Sequence, residues 1–161
     1  MSTTINTRKN KNGVATAVKL TRKAEVHNGL QLKDGLNVDP IPLSPQNCAP
    51  GGIYYCAVDD VSYWLDLYGS DLGYVRQVTV PDDAVTHVED RKRKSDKIVL
   101  GPRMAVGAWL AAHPDVCMAA VTRNGLALQR VTEQTPELCM AAVSQYWGHL
   151  NTPRSRHTSC A

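Results

Sequence analysis

The sequence predicts an α+β fold: a small mixed or antiparallel sheet with one or two helices, followed by a short helical segment packed on it. Three observations carry that expectation. Short β-prone runs, punctuated by Gly, Pro, Asn and Asp, fill residues 17–102. One amphipathic stripe at helical spacing interrupts them. After Gly101-Pro102 the composition turns to Ala, Leu, Met and Val, and the pentapeptide Cys-Met-Ala-Ala-Val occurs twice.

The elements follow in order. Residues 1–16 are polar and basic without periodicity, as expected of a disordered tail. "AVKLTRKAEV" alternates and offers a first strand. The stretch from His27 to Gly52 holds Asn28-Gly29, Asp34-Gly35, four prolines and Gly51-Gly52, so it reads as an irregular excursion with one possible short strand, "LQLK". "IYYCA" is a β-prone apolar run and reads as a buried strand. In "VDDVSYWLDLYG", Val61, Trp64, Leu65 and Tyr68 form one helical stripe. Asp59 and Asp60 suit the positive end of that helix, and Gly69 stops it. "YVRQVTVP" alternates as a strand ended by its proline. "AVTHVED" and "DKIVLGP" read as two strands around a basic tip, "RKRK".

The duplicated blocks lie in residues 103–150. At an offset of 22 residues, Pro114 pairs with Pro136, Asp115 with Glu137, and Cys117–Val121 with Cys139–Val143. Each proline suits the first position of a helix, where its missing N–H costs nothing. Thr135 is placed to cap the second helix, and His113 stands at the matching place in the first. The expected arrangement is two stacked short helices, rungs of an array cut short after about one and a half units. Such a stack docks on residues 17–102 and leaves apolar surface for a homo-oligomer contact. Residues 151–161 read as a polar tail.

Composition narrows the function classes. The chain has 161 residues, 43% hydrophobic and 20% charged, as in an ordinary globular protein of one domain with a short appendage. No apolar run approaches the ~20 residues that span a bilayer, and the N-terminus lacks the apolar centre of a signal peptide. An intracellular protein without a membrane is expected. Five cysteines without a Cys-x-x-Cys pair argue against a complete disulfide framework and against a zinc ribbon or finger, and the five histidines are scattered, with no pair at metal spacing. Cys117 and Cys139 read as small hydrophobes; Cys48 and Cys56 bracket a turn and form the one candidate redox pair. The net charge of +3 is concentrated in the first residues and in Arg91, Lys92, Arg93 and Lys94. That run is the candidate phosphate contact, although without interleaved aromatics it supplies no base stacking.

Two longer segments, "HNGLQLKDGLNVDPIPLSPQNCAPGGIYY" and "SDLGYVRQVTVPDDAVTHVEDRKRKSDKIVLGP", resemble an N-terminal domain of unknown function found in giant viruses ahead of ankyrin or other repeats. "CMAAVTRNGLALQRVTEQTPELCMAAV" is similar to short helical repeats of another family of unknown function in the same viruses. The resemblance implies a viral protein in the host cytoplasm or the virion. A non-enzymatic module binding a protein partner is the leading expectation, with no cofactor. A basic, nucleic-acid-associated virion protein is a further one.

"GGIYYCAVDDVSYWL" also resembles the Gly-Ile-Tyr segment of ADP-ribosyltransferases. That resemblance implies an NAD-binding or NAD-consuming site. His27 would stand at its first position and Tyr54 or Tyr55 at its second. At the third, where the family has Glu, this chain has Asp96; Glu89 is the nearby acid of the family's type and falls in the charged turn.

Overall fold

The computed structural model describes residues 17–149, so the basic tail of residues 1–16 and the polar tail of residues 151–161 lie outside it. Strand β1 (Ala17–Arg22) is central. On one side it pairs with β6 (Leu72–Thr79), then β9 (Lys97–Leu100), then β4 (Gly35–Val38). On the other it pairs with β5 (Ile53–Ala57), then β8 (Lys92–Ser95), then β7 (Thr86–Glu89). Short β10 (Met104–Ala105) adds to β6, while β2 (Val26–His27) and β3 (Leu30–Gln31) form a separate hairpin. Every pairing is antiparallel. The helices are α1 (Val61–Tyr68), α2 (Val106–Ala112), α3 (Pro114–Arg123) and α4 (Pro136–His149), with a 3-10 segment over Gly125–Arg130.

Strand residues alternate between two apolar cores, because successive side chains leave opposite faces of a strand. Val18, Cys56 and Val75 join Val61 and Leu65 of α1, with Trp109, Leu110, Cys117, Ala120, Val121 and Leu138 of the later helices. Their neighbours Ala17 and Tyr55, with Ile53, Val78, Ile98 and Leu100, meet Leu32 on the opposite face. The sheet is thus apolar on both sides. Each fully buried Val, Leu or Ile contributes about 1.5–3 kcal/mol relative to exposure. Segment 103–149 shares the first core with the sheet.

Arg76, the one charged residue of β6, is buried and forks onto Glu25, Nε to Oε1 at 2.7 Å and Nη2 to Oε2 at 2.9 Å. Asp34 and the Gly101 carbonyl take its remaining nitrogen, and Thr21 Oγ1 donates to Glu25 at 3.3 Å. This network ties the turn after β1 and the start of the excursion to the middle of the sheet.

Three local expectations change. Of the basic run only Arg91 stands at a tip, in the turn Asp90-Arg91 at a φ of 56°; Lys92, Arg93 and Lys94 belong to β8, an inner strand between β5 and β7. The excursion contributes β4 as well as the hairpin that includes Leu30 and Gln31. His113 caps α3 through its backbone alone: its ring turns back, stacks on Trp109 at 3.8 Å and donates Nδ1–H to the Trp109 carbonyl. Thr135 does cap α4, its Oγ1 accepting the Leu138 N–H at 3.3 Å.

Both Cys-Met-Ala-Ala-Val blocks are helical, and α3 and α4 pack against one another. Gly125 sits at the joint, since an added Cβ there would lie 2.7 Å from the Ala142 carbonyl oxygen. The blocks differ in cover. Val121 is 0% exposed, whereas its counterpart Val143 is 51% exposed.

Candidate functional site

The central sheet parts between β1 and β5. The two strands pair at Ala17–Ala57 and Val18–Cys56, and beyond that point they diverge. Lys19 bridges the gap, its Nζ donating to the Tyr54 carbonyl at 2.6 Å. The opening is a cleft of about 450 Å³ with Lys19–Arg22 on one wall and Tyr54–Cys56 on the other. His27 and Asn28 of the hairpin, the Cys48–Pro50 loop, and Trp64 and Tyr68 of α1 complete it.

His27 reaches the cleft because Asn28, at a φ of 47°, and Gly29 make the tight turn of the β2–β3 hairpin. Its Nε2 lies 3.1 Å from the Gly52 carbonyl oxygen, and its ring meets Tyr54 edge-on at 5.9 Å. Burial, helped by the Lys19 charge, pushes the imidazole down to about 4, so it is neutral at pH 7. Lys19 is itself pushed down to about 8 by burial.

The Tyr54 hydroxyl donates to Glu89 Oε1 at 2.7 Å. Register explains the meeting: β5 pairs Tyr54 with Lys94 on β8, and β8 pairs Lys92 with Glu89 on β7. Glu89 also accepts the Cys48 N–H at 3.2 and 3.3 Å and lies 3.4 Å from Lys92 Nζ. Burial works to raise its pKa, but the Tyr54 hydroxyl, the Cys48 N–H and Lys92 outweigh it and hold the carboxyl below its usual value. The same carboxylate, together with burial as the larger cause, raises the Tyr54 hydroxyl. The Lys92 ammonium sits 4.4 Å from the centre of the Tyr54 ring.

His27 and Tyr54 therefore share one cleft. Tyr55 borders it too, but its ring belongs to the second core and its hydroxyl pairs with Ser95 Oγ at 3.0 Å. Asp96 does not line the cleft; its carboxylate accepts the Val85 N–H at 2.9 Å where β8 passes to β9. The carboxylate that reaches Tyr54 is Glu89. A residue-type argument favoured Glu there, yet only the inner-strand role of the basic run brings β7 alongside.

Arg91, Lys92 and Lys94 have local side-chain partners. Lys94 is 0% exposed, donating to the Gln46 and Ala49 carbonyls at 2.8 and 3.1 Å. It anchors the excursion from inside and is closed to an external phosphate. Lys92 serves Glu89. Arg91 lies 3.7 Å from Asp60 and over the Tyr63 ring at 4.7 Å. Arg93 is the half-buried residue paired between Tyr55 and Val88. Cys56 is a free, buried thiol pushed up to about 12, mainly by burial, so it is not bonded to Cys48. Among the described residues, no group of three or more His, Cys, Asp or Glu is arranged to hold a metal ion. No helix among them is long and apolar enough to cross a membrane.

Among proteins with curated descriptions, a relative is viral. This chain is similar to the uncharacterized protein R869 of Acanthamoeba polyphaga mimivirus, 36% identical over 72 residues. The match takes in 40% of this chain and 46% of that protein, so the shared part is under half the length of either. No family model matches the chain, and no solved structure does.

A second surface lies away from the cleft. On α4, Met140, Val143 and Trp147 fall at i, i+3 and i+7 and are 65%, 51% and 63% exposed. Leu126 of the adjoining 3-10 segment is also exposed. Large apolar side chains aligned on one helix face are a feature of interaction surfaces.

Proposed function

We propose that this chain is a non-enzymatic interaction module of giant-virus origin, in which the outer face of α4 takes an apolar helix from another polypeptide. The viral relative supports the origin. The unequal cover of the two blocks supports the surface. In the first block Val121 is buried and Met118 is half-buried, with α4 packed on α3; in the second, Val143 and Met140 stand open. A helix of the same kind has the shape to lie there, because one already lies on α3. The partner we assign is a second copy, joined through α4 of each. Sedimentation equilibrium across a hundredfold concentration range tests this. Self-association that Val143→Glu and Met140→Glu abolish is the expected result. A strict monomer at the highest concentration overturns it.

A second reading is favoured by the convergence of His27, Tyr54 and Glu89: an NAD-binding or NAD-consuming domain. In such a site Glu89, behind Tyr54, would act on a ribose hydroxyl through the Tyr54 hydroxyl, and water would bond to the ribose carbon as nicotinamide leaves, giving ADP-ribose, nicotinamide and a proton released to solvent. Under this reading Glu89 takes the role that the resemblance to ADP-ribosyltransferases gives to Asp96. Release of nicotinamide from NAD, lost in Glu89→Gln, is the expected result. Absence of both binding and release at millimolar NAD removes this reading.

A further inference from the structure

The lining of the cleft has a charge imbalance. Lys19, Arg22 and Lys92 border it, and no Asp or Glu among the described residues does. Two of these cations have carboxylate partners elsewhere, Arg22 with Asp71 at 4.0 Å and Lys92 with Glu89 at 3.4 Å. Lys19 has none. It is 5% exposed, and among the described residues its single hydrogen bond is to the Tyr54 carbonyl. An ammonium carries three donors. A buried cation without a counter-ion is costly, and natural proteins rarely keep one unless something neutralises it.

The rest of the wall is aromatic. Tyr54, Trp64 and Tyr68 border the cleft, and the Trp64 and Tyr68 rings lie nearly parallel, 16° apart, with centroids at 5.9 Å. Trp64 is fixed by its indole N–H, which donates to the Arg91 carbonyl at 3.0 Å. Neutral His27 adds a further flat group without a competing charge. The volume of about 450 Å³ falls within the range typical of small-molecule sites.

We propose that the cleft binds a small ring-bearing anion of the nucleoside-phosphate class, its phosphate supplying the counter-charge to Lys19 and its ring packing on the aromatic wall of Tyr54, Trp64 and Tyr68. Arg22 at the rim adds long-range attraction for the anion. The parting of β1 from β5 is then what admits the ligand: a continuous ladder there would close the sheet over Lys19. Glu89 lies behind Tyr54, where it holds the phenol ring in place and keeps its charge out of the wall. Binding of the anion in this cleft needs no bond of the ligand to break.

Titration of the 161-residue chain with ADP, followed by Trp fluorescence and calorimetry, tests it, with adenosine and inorganic phosphate as separate probes. The expected result is saturable ADP binding, at least tenfold weaker for adenosine and for phosphate alone. Lys19→Met should weaken ADP binding at least tenfold. If that variant fails to fold, Trp64→Leu and Arg22→Gln carry the comparison, each lowering affinity while leaving the melting transition in place. No binding at millimolar ADP overturns the proposal. So does binding that is indifferent to these substitutions, or equal affinity for phosphate alone. NAD added in parallel separates the two readings: ADP binding without nicotinamide release leaves this inference standing and removes the transferase.

Discussion

The Tyr54 hydroxyl and Glu89 Oε1 meet at 2.7 Å across 35 positions of sequence, and the bond joins the cleft wall to an outer strand. Removing either partner has different consequences. Tyr54→Phe deletes a donor and leaves Glu89 with the Cys48 N–H and Lys92. Glu89→Ala takes the main acceptor from the Tyr54 hydroxyl, which keeps only the longer contact to the Ala49 carbonyl at 3.4 Å, and it also removes the acceptor of the Cys48 N–H and the carboxylate beside Lys92. A lost partner for a buried polar group costs about 1–3 kcal/mol. Glu89→Ala is therefore expected to lower stability by more than Tyr54→Phe, by about 2 kcal/mol or more. Urea unfolding of both variants checks the order, and equal losses would show that Tyr54 is the sole partner that matters.

Acid should weaken the fold through His27. Its imidazole is pushed down to about 4 in the folded chain, by burial first and Lys19 second, against an ordinary value of 6.5. Between those values the unfolded chain binds the extra proton and the folded chain does not. Stability therefore falls as pH drops from 6.5 towards 4. The depressed Glu89 acts in the same direction at lower pH, as its carboxylate gains a proton. His27→Gln keeps a donor for the Gly52 carbonyl and removes the titration. Urea midpoints at pH 7.5 and pH 5 should fall further for the native chain than for His27→Gln, and parallel losses would exclude His27 as a cause.

Much of the fold follows from local patterning. Strand β5 coincides with "IYYCA", α1 carries its stripe with Val61 and Leu65 buried, and Pro114 and Pro136 begin their helices. These rest on short-range rules of periodicity and capping. The basic run departs from local expectation for an equally physical reason: four adjacent cations look solvated, and nothing local reveals that Lys94 finds two carbonyls in the Gln46–Ala49 loop. The available signal was the two-residue turn Asp90-Arg91 between arms of four residues, a hairpin spacing. His27 and Tyr54 are candidates through the resemblance to ADP-ribosyltransferases, which leaves Tyr55 as an equal choice. Glu89 became identifiable only through the register of three strands, which is long-range information. Lys19 carried no sequence signal, since an alternating lysine in a strand usually faces water.

The buried fork between Arg76 and Glu25 gives a sharper stability test. Both side chains are nearly inaccessible, 4% and 6% exposed. Breaking a buried pair by removing one partner costs about 3–5 kcal/mol, because the other charge stays behind. Arg76→Ala is expected to lose that much, a large part of the roughly 5–15 kcal/mol that holds a domain folded. Arg76→Lys should recover little, since one ammonium cannot match both oxygens of Glu25 in parallel. Arg76→Met with Glu25→Gln should be more stable than Arg76→Met alone. A double-mutant cycle in urea measures the coupling, and simple additivity would deny the pair its role.

Gly125 sets how closely α4 can approach the rest of the molecule. A Cβ at this position would stand 2.7 Å from the Ala142 carbonyl oxygen, a backbone atom that cannot swing aside. The Gly125 N–H also donates to Gln145 Oε1 at 3.1 Å, so the contact is fixed at two points along α4. Gly125→Ala must push α4 outward and open the seam beside Ala142, since the three atoms nearest the new methyl group all belong to Ala142. The expected outcome is faster amide exchange in α4, with exchange in β1, β5 and β6 unchanged and overall stability lower by about 1–3 kcal/mol, as for other overpacked sites. Any self-association through α4 should weaken in the same variant. Native exchange throughout α4 would mean that the seam has slack, and that α4 is held instead by Leu138, the residue it buries in the common core.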